Sequence, residues 1–160
     1  MGFYGDLDTN LNEIKIRLYQ SQKLAKLMTV QDDPLSPNTP DIQNIPSVLD
    51  GKIEDAYVLP TEDEVGCKLI ILFTNIGSMG DTFKSCIVDI NILVHKNWKK
   101  IKGKNRLYQI ADTIDELLTN NFKLSMGGLK SIGGQGYFEV GNGNPFKGFN
   151  IRFKSMDFSR

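Results

Sequence analysis

Ser85-Cys-Ile-Val-Asp-Ile-Asn-Ile-Leu-Val-His95 and Arg106-Leu-Tyr-Gln-Ile-Ala-Asp-Thr-Ile-Asp-Glu-Leu-Leu118, joined by the lysine-rich stretch Lys96 to Asn105, decide the fold. In the first, Cys86, Val88, Ile90, Ile92 and Val94 recur at every second position, with Asp89, Asn91 and His95 on the opposite side, which is the period of a strand. In the second, Leu107, Ile110, Ala111, Ile114, Leu117 and Leu118 follow i, i+3, i+4, i+7 spacing while Asp112, Asp115 and Glu116 turn away, which is the period of a helix. An apolar strand face and an apolar helix stripe so close in sequence bury each other most simply by packing together. This strand and helix are expected to nucleate the core.

Upstream, Leu11, Ile14, Leu18, Ala25 and Met28 mark one helical stripe behind Asn10-Leu-Asn-Glu13, which reads as a capping box. The spacing predicts one long helix over about 10–28. From Asp32 to Asp50, Pro34, Pro37, Pro40 and Pro46 arrive among Asp, Asn, Ser and Thr, a composition that predicts a long irregular connection. Such a connection either wraps on its own domain or orders on a neighbour. Ile53 to Leu59 reads as a short strand ended by Pro60, and Glu62-Asp-Glu64 as an acidic turn. In Cys67 to Thr74 both alternating sets are apolar, so this strand should be covered on both faces. Gly77 to Asp81 reads as a turn.

After the second helix glycine dominates, and Gly127, Gly128, Gly133, Gly134, Gly136, Gly141 and Gly143 predict short strands over Phe122–Leu129 and Tyr137–Val140 joined by tight turns. Phe149, Ile151 and Phe153 alternate with Asn150, Arg152 and Lys154, then Met156 and Phe158 follow, giving a closing strand with one aromatic face. The order predicts an α+β domain spanning 1–160, with a mostly antiparallel sheet of five or six strands and two helices packed on one face.

Composition narrows the chemistry. Lysine plus arginine and aspartate plus glutamate are 19 each, which leaves no excess charge to hold a polyanion. Cys67 and Cys86 lie in apolar runs and read as buried thiols, and one histidine without CxxC or HxxxH spacing predicts no metal site. No apolar run reaches the ~20 residues that span a bilayer, and the first residues lack an export signal, so no membrane role and no cofactor are expected. Gly134-Gln-Gly136 resembles part of a dinucleotide fingerprint, but the residues after it continue as a strand where that fingerprint needs a helix. His95 with Asp89 or Cys86 is the one conceivable catalytic grouping, and it has no recognised spacing, so no enzyme is expected.

Interface residues are the remaining candidates. Lys99, Lys100, Lys102, Lys104 and Arg106 form a charge run beside Trp98 that could touch phosphate or an acidic protein surface, or could simply occupy a solvated loop. Trp98 is an interface candidate if it is not tucked under the helix. Pro34, Leu35 and Pro37 in the proline-rich connection, and Arg152 and Lys154 on the closing strand, complete the set. The polar sheet side that carries Asp89, Asn91 and His95 on one strand and Asn150, Arg152 and Lys154 on another is expected to face solvent, a neighbouring subunit or a water-filled channel.

The layout resembles the tail terminator and tail completion proteins of the neck, the head–tail connector of tailed bacteriophages. The resemblance rests on Leu24-Ala-Lys-Leu-Met-Thr29 running into Asp32-Asp-Pro-Leu35, on Ser85 to His95, on Arg106 to Leu118, and on Phe146-Lys-Gly-Phe-Asn-Ile-Arg-Phe153. It implies a structural virion protein that assembles with itself as a ring, commonly six around an axis. The partners it implies are the tail tube protein and the head connector or head-closure protein, with genomic DNA passing through the channel without sequence-specific binding. It implies assembly in the host cytoplasm and residence in the virion. The alternative left open is a monomeric or dimeric protein- or ligand-binding module of bacterial origin.

Overall fold

The computed structural model describes residues 5–61, 63–79, 82–124, 127–141 and 143–155, with no side-chain description at 78–79 and 82–84. The expected positions Glu62, Gly80, Asp81, Met156 and Phe158 lie outside the described residues.

Two long hairpins form the sheet. Strands β2 (Cys67–Met79) and β3 (Thr82–His95) pair antiparallel, as do β7 (Gly127–Glu139) and β8 (Phe146–Ser155), and β3 joins β8 antiparallel in the middle. The two-residue strands β1 (Ile53–Glu54) and β6 (Lys123–Leu124) flank them, so the order is β1-β2-β3-β8-β7-β6, with only β1 parallel to its neighbour. The result is a mixed α+β fold with a six-stranded, curled, mostly antiparallel sheet, as the alternation of apolar residues predicts.

All the helices share one core with one sheet face. The expected long first helix is two helices, α1 (Gly5–Tyr19) and α2 (Gln22–Thr29), broken where Ser21 leaves helical geometry and its hydroxyl accepts the Leu24 N–H at 3.0 Å. A serine there competes for the backbone and starts a new helix, although the apolar stripe runs on. Asn10 is no cap: it lies buried inside α1 and donates from Nδ2 to the Asp6 carbonyl at 2.7 Å. The proline-rich connection contains a short helix, α3 (Ile45–Leu49), because Pro46 sits in its first turn, where a missing N–H costs nothing. Helix α4 (Arg106–Thr119) starts at Asn105, whose side chain accepts the Leu107 N–H at 2.9 Å. Its buried Leu107, Ile110, Ile114 and Leu118 meet Val88, Ile90, Ile92 and Val94 of β3 in the main core, together with Ile14, Leu18, Leu24, Leu27 and Leu49 from the other helices. Each such fully buried aliphatic side chain contributes about 1.5–3 kcal/mol. No described helix is long and apolar enough to cross a membrane.

Two other expectations change. Ile53 to Leu59 is a strand only at Ile53 and Glu54, after which the chain runs without regular structure past an exposed Tyr57, Val58 and Leu59 to a buried Pro60. Gly127 and Gly128 open β7 where it pairs back on β6, but Gly133, Gly134 and Gly136 are not hairpin turns; they lie at bulges within the single strand β7. Its register against β8 slips by one residue between Ser131 and Gly133 and by one more between Gly133 and Gly136, both glycines having positive φ. Turns and bulges demand the same left-handed backbone, so glycine alone does not separate them. Gly134 lies flush on β8: a Cβ there would fall 2.3 Å from the Asn150 carbonyl oxygen and 2.8 Å from the Ile151 Cα.

Candidate interaction surface

The outer face of the sheet, opposite the helices, is built from Asp89, Asn91, Leu93 and His95 on β3 and from Phe146, Gly148, Asn150, Arg152 and Lys154 on β8, as the register dictates. One end is apolar. Ile70, Leu93 and Phe146 are buried there with Leu72, Phe138 and Val140 against them, and the Phe138 ring lies over Gly148, where a Cβ would fall 2.2 Å from Cζ. This apolar end is why both alternating sets of β2 are apolar. The segment before β2 closes over it, the Pro60 carbonyl accepting from Asn144 Nδ2 at 3.0 Å.

The middle of the face is polar and mutually satisfied. Asn150 Nδ2 donates to Asp89 Oδ1 and, at 2.9 Å, to Asn91 Oδ1, while its own Oδ1 accepts the Gln135 N–H at 2.9 Å. Arg152 Nε donates to Asp89 Oδ2 at 3.2 Å. Asn150 and Asp89 are 3% and 9% exposed, low enough that partners are obligatory. At the far end Lys130 and Lys154 stand directly opposite each other, both exposed, an arrangement that repels unless an anion or a partner's carboxylate intervenes.

His95 holds the turn that follows β3. Its Nδ1 accepts the Asn97 N–H at 3.2 Å, capping the 3-10 turn Lys96–Trp98, and its ring meets Phe146 edge-on at 5.4 Å. Cys86 points to the opposite sheet face. Cys67 and Cys86 are both buried and in no disulfide, and burial pushes the Cys67 thiol up to about 12.

The lysine run resolves into separate roles. Strands β4 (Lys100–Ile101) and β5 (Lys104–Asn105) form a tight hairpin whose turn, Lys102 and Gly103, has positive φ at both positions. Lys100 and Lys104 are exposed. Lys102 Nζ bonds Asp33 Oδ2 at 2.6 Å, tying the hairpin to the proline-rich connection. Lys99 Nζ lies 5.2 Å over the exposed Tyr137 ring, beside Glu139, which takes hydrogen bonds from Lys147 Nζ at 2.7 Å and from the Tyr137 hydroxyl at 2.6 Å. Those two bonds hold the Glu139 carboxyl below its ordinary range.

Arg106 leaves the charge run altogether. It is fully buried, and its guanidinium donates to the carbonyls of Trp98 at 2.6 Å, Val30 at 2.9 Å, Gln31 at 2.6 Å and Leu27. It therefore closes the C-terminal end of α2, where carbonyls lack helical partners and the helix dipole favours a cation. Trp98 is tucked: half-buried against the main core, its ring 5.2 Å from the Arg106 guanidinium carbon. Pro34 is buried and Leu35 packs on the core, leaving Pro37 exposed. The proline-rich connection is held to its own chain by the Gln22 amide, which bridges Ile42 N and O at 2.9 and 2.8 Å, and by Lys26 to Asp41 at 2.7 Å.

One feature had no sequence signal. Between α4 and β7–β8 run two adjoining hollows of about 290 and 950 Å³, sharing Asp115 and Ser131. The smaller is floored by Phe149, Ile151 and Phe153 and rimmed by Tyr108, which is 54% exposed and meets Phe149 edge-on at 5.4 Å. Asp115 Oδ1 is buried there without a hydrogen-bond partner.

No curated protein and no solved structure matches the chain. The model of a protein family, YomW, matches residues 21–155, from the Ser21 cap of α2 to the end of β8. That span takes in the whole sheet and α2 to α4, and the chain therefore belongs to the YomW family, a phage-associated group of proteins.

Proposed function

We propose that the chain is a structural virion protein of a tailed phage, a subunit that assembles with itself into a ring at the head–tail junction, completes the tail and docks it to the head connector. It acts by assembly and docking, not catalysis. The observation that carries this reading is the outer sheet face. Among the described residues no helix covers it, its central charges Asp89 and Arg152 cancel, and its uncompensated charges are the exposed Lys130 and Lys154. A face of that kind suits the wall of a channel that DNA crosses: weakly positive at one end, neutral along its length, and without a basic groove that would grip phosphate. Membership of a phage-associated family supports the same reading. The tail tube, the head connector and passing DNA are the partners that follow from it.

The test is the solution mass over a concentration series, with negative-stain images of the same fractions, alone and with tail tubes. Closed rings with a central hole are expected. A chain that stays monomeric in both settings overturns the proposal.

A second reading, a small binding module, is favoured by the hollow under Tyr108 and the unpartnered Asp115 oxygen. A donor group entering there would satisfy an acceptor whose isolation costs about 1–3 kcal/mol.

A further inference from the structure

The two outer long strands of the sheet are almost unpaired on their outward sides. Of the 13 residues of β2, β1 meets only Leu69 and Ile70, and of the 13 residues of β7, β6 meets only Gly127 and Gly128. Among the described residues nothing else pairs with these edges. The two caps sit at opposite ends of the sheet, so the open stretches overlap. Register carries Ile71–Thr74 of β2 through Ile90–Ile87 of β3 and Ile151–Lys154 of β8 to the Lys130–Gly133 region of β7. Open backbone donors and acceptors on a long edge are a template for another strand.

We infer that the ring subunits join edge to edge, β7 of one copy pairing with β2 of the next, so that their sheets run on as one. This rests on the ring reading above and names its joint. Strand direction permits it. β2, β3, β8 and β7 alternate in direction, and four alternating strands leave β7 antiparallel to the β2 of a neighbour set down in the same orientation. The helix face of one copy then continues the helix face of the next, which keeps every apolar set on its own side. A two-fold pair through β7 alone would leave both β2 edges open, whereas the head-to-tail joint closes both edge types with one repeated contact. The bulges at Thr74–Gly77 on β2 and at Ser131–Gly136 on β7 confine regular pairing to short stretches, which fixes register and resists indiscriminate edge association.

Two single variants, Lys130→Cys on β7 and Thr74→Cys on β2, both on the outer face, test the joint. The native thiols are buried and do not compete. The variants are mixed under ring-forming conditions and treated with a short bis-maleimide, after a melting curve has checked that each is folded. Adducts joining one variant to the other are expected to dominate, and the double variant should give a ladder ending at the ring's copy number. Adducts of one variant with itself in excess overturn the inference in favour of a two-fold pair. Rings by mass and image without the mixed adduct overturn it while leaving the ring reading intact, and a chain monomeric with and without tail tubes removes both.

Discussion

Arg106 and Arg17 do for two helices what no residue of those helices does. Arg106, at the start of α4, collects the carbonyls that end α2. Arg17, on α1, donates from Nε to Leu117 O at 2.8 Å and from Nη2 to Asn120 O at 2.9 Å, closing α4, which has no basic residue in its last turn. Replacing Arg106 by Met is expected to cost about 3 kcal/mol or more, since several buried carbonyls lose their donors at once; a urea denaturation midpoint reads this directly. Trp98→Ala strips the ring from that guanidinium, so a loss of fold stability should accompany any effect on assembly. Asp115 runs the other way. Asp115→Ala removes a buried acceptor without a partner from a helix, and should leave the thermal midpoint unchanged or raised. Cys67 supplies a pH dependence: its thiol ionises at about 12 in the fold and at 9.0 as the free group, so its contribution is intact below about pH 9 and declines as pH climbs toward 12. Thiol titration at pH 8 should find Cys67 unreactive until the chain is unfolded.

At the level of elements, periodicity was readable wherever an element's neighbours are the core itself. Val88, Ile90, Ile92 and Val94 alternate because β3 lies under helices, and Leu107, Ile110 and Ile114 recur because α4 lies on β3, so both elements could be drawn from residue spacing. What spacing does not carry is a partner distant in the chain. Arg106 looked like one more cation of a lysine run because Leu27, Val30 and Gln31 are more than seventy positions away. The Ser21 break was hidden because α1 and α2 keep one apolar stripe against one core. Of the outer face, Asp89, Asn91 and Arg152 could be placed by alternation, whereas the hollow beside Asp115 could not, its floor residues Phe149, Ile151 and Phe153 reading as ordinary core. Gly134→Ala tests the bulge assignment. In a turn it would be mild, but against the β8 backbone it should destabilise by about 1–3 kcal/mol, read as a fall in the thermal midpoint.

For the whole molecule, a fold with helices on one side and a bare, charge-balanced sheet on the other has an inside and an outside before any partner arrives. The ring reading gives each a place: helices outward, sheet toward the axis. Lys130→Glu with Lys154→Glu reverses the concentrated charge of that sheet face among the described residues. The pair should leave monomer stability within about 0.5 kcal/mol, as exposed surface changes do. If the face lines a channel, packaged DNA should be held or released at the neck differently, scored as infectious particles per assembled ring.

The two register slips in β7 act as slack. Lys130 lies opposite Lys154 and Phe138 opposite Gly148, so eight steps along β7 match six along β8, the two extra residues being taken up by the bulges. Losing one codon between Ser131 and Gly136 would heal one bulge and leave Phe138 opposite Gly148, with Tyr137 and Glu139 on their present side. Losing two would leave a regular strand in the same register, making this stretch of the gene forgiving of shortening by one or two residues, with loss of the bend and twist that the bulges supply as the cost.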